Sequence, residues 1–317
     1  MNVVFMGTPG FACGPLEALA DSRHNLIAVV TVPDQPSGRG QKLSACEVKM
    51  KALELKVPVL QPENLKAPDF IDRMADLKAD IFVVVAFKIL PKKLFSIPPH
   101  GSINIHASLL PKYRGAAPIN HALLNGETET GLTSFFLTKQ VDGGDIINQV
   151  STPVPEDENF SSLYSRLSLM AGPFLLESLD LIVQPGFSAK TQDISQATPA
   201  PKIRTEDCLI DWGADDRRVH NHIRAFSERP GAFCFLDDLQ IKILGSARGP
   251  FESLPALKPG EMLADKKRLF VGTGTSPIQL TRLQPAGKKA MDAGSFLNGY
   301  RIHSYQKLSS IRKEVIN

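Results

Sequence analysis

Two side chains two residues apart, Asn104 and His106, open the chemistry of this chain. They lie in GSINIHASLLPKYRGAAPIN, residues 101–120, whose first part has the residue types of a β-strand. Strand side chains alternate between faces, so Ile103 and Ile105 turn one way and Asn104 and His106 the other. The pattern sets a neutral amide beside an imidazole at the end of an apolar strand. An amide donates a hydrogen bond without carrying charge, which suits a carbonyl or an oxyanion. Imidazoles as a class exchange protons near neutral pH. The chain then leaves the strand through Ser108, Leu109, Leu110 and Pro111, at the carboxyl edge where open α/β sheets bind ligands. A third candidate is Asp142, in QVDGGDII at residues 140–147. A carboxylate there would orient the imidazole, stabilise its charged form or order a water. Taken alone, an Asp before Gly143 and Gly144 is a turn former, and a lone strand histidine is a packed or surface residue. The chain has no G-x-S-x-G and no Cys–His nucleophile signature. The trio suits direct transfer of a group to an incoming nucleophile, without a covalent enzyme intermediate.

The elements that must position these residues read as a doubly wound α/β fold. Residues 2–6 form an apolar strand that ends at Gly7-Thr8-Pro9-Gly10, and a helix follows over about 12–21. The glycines serve a tight turn here, since G-x-G-x-x-G is absent. Residues 26–32 and 80–86 are continuous apolar runs, as expected of parallel strands buried on both faces. Phe87, Lys88, Ile89, Leu90 and Pro91 leave the second of these at its carboxyl end, placed to form one wall of a pocket. Helices are expected over 45–56, 68–78 and 115–125, and short strands over 57–60 and 131–138. Residues 145–150 return as the second arm of a hairpin through the Asp142 turn. Leu163, Leu167, Met170, Phe174 and Leu181 recur at helical spacing within 158–184, with Pro173 as a candidate kink. Between strands and helices lies PDQPSGRGQKL, residues 33–43, read as a mobile, basic, exposed loop. Arg39, between Gly38 and Gly40, and Lys42 give it two cations suited to phosphates.

Periodicity is lost over 188–203, which reads as a linker. A helix over 215–226 follows, and then short alternating pieces such as 240–244, 268–272 and 278–284. These imply a small barrel or open antiparallel sheet. A length of 317 residues with 43% hydrophobic content supports two domains. The boundaries are 1–187 for the α/β domain, 188–203 for the linker and 204–317 for the small β domain. No run of about 18 apolar residues occurs, and no basic, apolar leader opens the chain. The four cysteines are scattered without a CxxC pair, which points to reduced thiols in a cytosol and away from a zinc site. The net charge of +3 is unevenly divided. Residues 201–317 carry 19 Lys+Arg against 13 Asp+Glu, and residues 1–200 carry 17 against 20. A basic second half suits a polyanion partner, or is an ordinary solvated surface.

Residues 101–118 together with 140–144 resemble the folate-dependent formyltransferases. That family pairs Asn-x-His and Ser-Leu-Leu-Pro with a later Asp in a Val-Asp-x-Gly turn. The matching residues are Asn104 and His106, Ser108 to Pro111, and Asp142. Three further stretches narrow the resemblance to members acting on charged initiator tRNA: residues 33–43, KYRGAAPIN at 112–120 and LQPAGKKAM at 283–291. The resemblance covers nearly the whole chain. One departure is that residues 86–91, AFKILP, are one residue shorter than the family's common Ala-Tyr-Gly-x-x-Leu-Pro.

The resemblance implies a one-carbon transferase of translation initiation. Its donor would be 10-formyltetrahydrofolate and its acceptor the methionine α-amino group of initiator methionyl-tRNA, with no metal. Asn104, His106 and Asp142 would be catalytic. Phe87 to Leu90 and Ser108 to Pro111 would line the folate pocket. Arg39, Lys42, Lys288 and Lys289 would meet tRNA, the last two from an OB-like C-terminal barrel. A Rossmann-like catalytic domain in a cytoplasmic monomer, away from membranes, is the expectation. Two other readings remain open: a formyltransferase for a small amine (a purine precursor or an amino sugar), and an RNA-binding protein whose α/β domain is catalytically dead.

Overall fold

The computed structural model describes residues 1–37, 42–251, 254–303 and 306–311. The chain forms two compact units. The first comprises Met1–Pro118, Glu129–Pro153 and Tyr164–Pro201, and the second Ile119–Thr128, Val154–Leu163 and Lys202–Asn317.

The first unit is built on β1 (Asn2–Gly7), α1 (Cys13–Ala20), β2 (Asn25–Val30), β3 (Gln35–Ser37), β4 (Lys42–Ser44), α2 (Glu47–Glu54), β5 (Val59–Leu60), α3 (Pro68–Asp76), β6 (Ile81–Val85), α4 (Lys92–Phe95) and β7 (Ser102–His106). Helix α5 (Pro118–Leu124), all but its first residue in the second unit, is followed by β8 (Glu129–Phe136), β9 (Ile146–Pro153) and α6 (Phe160–Ile182), which belongs to the first unit from Tyr164 onward. Seven strands form one sheet in the order β5-β2-β1-β6-β7-β8-β9. The pairs from β5 to β7 are parallel, and β8 and β9 add antiparallel partners. The apolar runs behave as their composition requires. Val4, Met6, Val30, Phe82 and Val84 pack in one cluster with Phe70, Met74 and Leu94, while their neighbours Val3, Phe5, Val29 and Val83 are also fully buried. A parallel sheet covered on both faces has its accessible groups at the strand ends, which is where the candidate residues lie.

Several elements differ in detail from the sequence reading. The loop at 33–43 has flanks that pair as the antiparallel hairpin β3–β4, with Gln35 opposite Ser44 and Ser37 opposite Lys42. Its tip, with Arg39, lies outside the described residues. Along α6, Leu163, Leu167 and Phe174 are buried as their spacing demands, but Met170 and Leu181 are half-buried. The buried line runs instead through Ala171, Leu175 and Leu179. At 3.6 residues per turn, a buried stripe drifts off any strict seven-residue repeat.

The second unit holds α7 (Asp216–Ala225), β10 (Ala232–Leu236), β11 (Leu239–Arg248), β12 (Met262–Asp265), β13 (Arg268–Val271), β14 (Ile278–Pro285), β15 (Met291–Asp292), α8 (Ala293–Gly299) and β16 (Leu308–Ser309). The antiparallel order is β12-β13-β14-β11-β10-β16, with β15 beside β14. The two ends are joined: Met262 N–H donates to Gln306 O, and Leu308 N–H donates to Gly260 O, each at 2.9 Å. The sheet therefore closes into a small barrel around Trp212, Ile223, Phe226, Ile241, Leu280 and Phe296. Among the described residues no helix is long and apolar enough to cross a membrane.

Beside this core, α7 carries His220 and His222. His220 donates from Nε2 to the Glu156 carbonyl and accepts at Nδ1 from Ser246 Oγ. Burial pushes both imidazoles below the usual histidine range. A ring kept neutral by the fold contributes stability that is complete above pH ~6.5 and lost as pH falls through its lowered value. Trp212, the single tryptophan, is buried in the same core. Urea unfolding followed by its fluorescence is expected to need less denaturant at pH 5 than at pH 7. Replacing both His220→Gln and His222→Gln should flatten that dependence, and an unchanged slope would contradict it.

Candidate active site

Register sets the first two residues. In β7, Asn104 lies beside Val84 of β6 and Phe135 of β8, and His106 beside Thr133. Ile103 and Ile105 point into the core, almost fully buried. Asn104 is half-buried, and its Oδ1 is buried without a hydrogen-bond partner. An orphaned buried acceptor costs about 1–3 kcal/mol, which a ligand N–H placed there would offset.

His106 is buried, with its ring edge-on to Phe135 at 6.4 Å between centroids. Its Nε2 lies 2.8 Å from the Tyr113 carbonyl oxygen. A carbonyl only accepts, so Nε2 carries a proton and donates. Nδ1 then carries the lone pair of the neutral ring. It faces Asp142 Oδ2 at 3.8 Å. In the neutral ring two acceptors oppose each other there, so the gap suits a proton or a substrate N–H.

The turn after β7 is fixed through side chains. Thr133 Oγ1 donates to the Ser108 carbonyl at 2.7 Å and accepts from Leu110 N–H at 3.0 Å. Gln149 Nε2 donates both to Leu110 O and to Thr133 Oγ1. Ser108 Oγ donates to Lys112 O. Leu109 and Pro111 are half-buried and Leu110 is buried. At the adjacent end of β6 the chain turns at Ala86, with φ of 48°. Phe87 and Leu90 then pack against the core, Lys88 is exposed, and Ile89 is 78% exposed. The parallel register of β6 and β7 brings these two exits to one edge of the sheet.

Asp142 reaches the same place from 36 residues away in sequence, in a left-handed conformation with φ of 49°. Its Oδ2 accepts the Gly115 N–H at 2.8 Å. A side chain at Gly144 would run into the Phe136 carbonyl, and one at Gly115 into that of Ala200. The structure thus brings Asn104, His106 and Asp142 to one site. Lys42 lies in β4, and Lys288 and Lys289 are exposed in the turn after β14.

Sequence reasoning missed the partners that hold this geometry. Arg114 N–H donates to Thr198 O, Ala200 N–H to Arg114 O, and Tyr113 N–H to Thr198 Oγ1. Gln192 contacts the Asp142 loop directly. Gln192, Thr198 and Ala200 fall in the aperiodic stretch read as a linker. The prolines flanking its end were the visible signal, and they marked extended backbone pairing along residues 113–117.

Comparisons with known proteins identify the family of the chain. The Formyl transferase family matches residues 1–179, and the Formyl transferase, C-terminal domain, matches residues 202–301. The chain belongs to the formyl transferase family. The methionyl-tRNA formyltransferase of Geobacter sulfurreducens is 42% identical over 310 residues, covering 97% of this chain and 96% of that protein. Two solved structures share the fold. An N-formyltransferase from Helicobacter canadensis, in complex with folinic acid and dTDP-3-aminofucose, has a TM-score of 0.65 at 19% identity, over 88% of this chain and 98% of that one. HypX from Aquifex aeolicus, in complex with tetrahydrofolic acid, has a TM-score of 0.62 at 17% identity. That match covers 94% of this chain, which spans about half, 47%, of the length of HypX.

Within the family setting, the Asp142 carboxylate is separable from its structural contact. Asp142→Asn keeps an oxygen for Gly115 N–H but removes the charge facing His106. Its expected effect is a fall in turnover of roughly 10²–10⁴-fold, with a melting temperature close to the parent's. Near-parental turnover in steady-state assays would exclude the carboxylate from proton handling.

Proposed function

We propose that this protein transfers the formyl group of 10-formyltetrahydrofolate to the α-amino group of methionine on charged initiator tRNA. The observation that carries the reading is the convergence of Asn104, His106 Nδ1 and the Asp142 carboxylate on one sheet edge, in a chain 42% identical to a methionyl-tRNA formyltransferase over nearly its full length. An amino-sugar acceptor is less favoured, because the likeness to the Helicobacter canadensis enzyme, at 19% identity, is one of fold.

The folate supplies an activated formyl carbon. The apolar exit after β6, with Phe87 and Ile89, and the Ser108–Pro111 turn offer a wall and a rim suited to its ring system. The unpartnered Oδ1 of Asn104 fits a substrate N–H, and its amide nitrogen is the donor for the formyl oxygen as that oxygen gains charge. Nucleophilic attack needs a neutral amine and releases a proton. His106 Nδ1, opposite Asp142, is the acceptor in place for it, and the same proton passes to folate N10 as the bond from the formyl carbon to N10 breaks and tetrahydrofolate leaves. Tyr113 O keeps the other ring nitrogen protonated, so the reactive lone pair stays on Nδ1.

In this reading residues 1–187 carry the transfer and residues 204–317 hold the tRNA backbone. Lys288 and Lys289 are the exposed cations assigned to it; Lys42 and Arg39 have the same assignment, and Arg39 lies outside the described residues. The reaction belongs to translation initiation in the cytoplasm.

The decisive experiment supplies 10-formyltetrahydrofolate with charged initiator tRNA, and with uncharged tRNA as control. Formylmethionine is expected only on the charged tRNA, and transfer to a free amino sugar instead would overturn the acceptor. His106→Ala should lower turnover by at least about 10²-fold without unfolding the protein; parental turnover would remove the ring from the mechanism. Binding of tRNA should weaken steeply with salt, as phosphate-dominated interfaces do. Arg39→Ala should raise KM for tRNA far more than KM for folate. A flat salt response, or equal effects on both substrates, would contradict the phosphate-gripping role.

A further inference from the structure

Gln192 is 91% buried, lies outside every helix and strand, and divides its amide hydrogen bonds between the backbone of the Asp142 turn and the Arg114 side chain. Its Nε2 donates to Asp142 O at 3.0 Å and to Gly144 O at 2.7 Å, the two carbonyls that flank Gly143. Its Oε1 accepts from Arg114 Nη2 at 2.7 Å and from Nε at 3.2 Å. The partners fix which way the amide points: a guanidinium only donates and a carbonyl only accepts. Arg114 is in turn tied through its own backbone to Thr198 and Ala200. Its neighbours on either side hold the two groups that face each other in the site: Tyr113 O accepts from His106, and Gly115 N–H donates to Asp142.

We infer that Gln192 is a positioning residue for the transfer step, an amide clasp that sets the distance between Asp142 and His106 by binding the Asp142 turn to Arg114. The inference rests on the proposed function for its kinetic readout. The physical need is clear from the turn itself. Asp142 holds a left-handed backbone followed by two glycines, a segment with little intrinsic stiffness. Gly115 N–H restrains its carboxylate and Gln192 restrains its main chain. Without the latter, the carboxylate is free to swing about the Gly115 contact. A misplacement of about 1 Å at a reacting group costs on the order of 10²-fold in rate.

Three substitutions separate the clasp from simple packing. Gln192→Glu keeps the shape and the Arg114 contact but sets a carboxylate oxygen against two carbonyls. Gln192→Met keeps the volume and loses both halves. Gln192→Asn keeps the chemistry on a shorter arm. For Gln192→Glu and Gln192→Met, kcat is expected to fall by about 10- to 100-fold with KM for folate nearly unchanged. In an Asp142→Asn background the same Gln192→Glu change should cost less than about threefold, because the group it positions is already gone. A Gln192→Glu enzyme with parental kcat, or one whose loss is the same in both backgrounds, would overturn the inference. Crystal structures of parent and Gln192→Glu protein supply a readout independent of turnover. The His106 Nδ1 to Asp142 Oδ2 distance should lengthen in the variant, and an unmoved Asp142 turn would overturn the clasp even if the acceptor assignment were wrong. Failure of the parent protein to formylate charged tRNA would instead count against the proposed function alone.

Discussion

The structure turns on one hydrogen bond, from His106 Nε2–H to the Tyr113 carbonyl. It links the end of β7 to the first residue of the strip at 113–117, and it decides which ring nitrogen is available for chemistry. A histidine in a site with one acceptor on each side is ambiguous: either nitrogen can hold the proton. A backbone carbonyl at 2.8 Å on one side and a carboxylate at 3.8 Å on the other resolve that ambiguity. The carbonyl cannot be protonated and cannot turn away without breaking the pairing of Arg114 with Thr198 and Ala200. Nδ1 is thereby left as the unprotonated nitrogen of the neutral ring.

Everything around the ring serves that arrangement. The parallel sheet brings two strand exits to one edge, and its buried faces leave that edge as the place where polar groups are accessible. The antiparallel pair β8–β9 adds Thr133 and Gln149, which saturate the backbone of the Ser108–Pro111 turn. Such a turn presents a fixed rim to a ligand. Segment 190–201, with little regular structure of its own, binds the strip and the Asp142 loop together. Stiffness at this site comes from side chain-to-backbone hydrogen bonds, each joining residues far apart in sequence.

That origin explains what was legible in the amino-acid sequence. Asn104 and His106 were legible because a strand has period two and the flanking isoleucines declare the buried face. Strands β1, β2 and β6 of the parallel sheet were legible as apolar runs. Asp142 was visible as a turn residue, and only the family resemblance joined it to His106, because nothing local tells a turn aspartate where it will reach. Gln192 gave no signal. It sits in an aperiodic stretch, and its value lies in contacts with carbonyls 50 and 48 residues away. The barrel was legible as alternating pieces, but β10 reads AFCFL, an apolar run without alternation. Its inner face meets the core, and Phe235 on the other side is half-buried, so polarity does not mark the outer face. The closing strand β16 is two residues long, too short for periodicity to register.

Nitrogen-15 NMR of the His106 ring, in the free protein with the ring neutral, tests the central claim most directly. The proton should reside on Nε2, with Nδ1 showing the shift of an unprotonated imidazole nitrogen. A ring protonated on Nδ1 instead would mean that Tyr113 does not set the tautomer, and the account of how this site accepts a proton would fall with it.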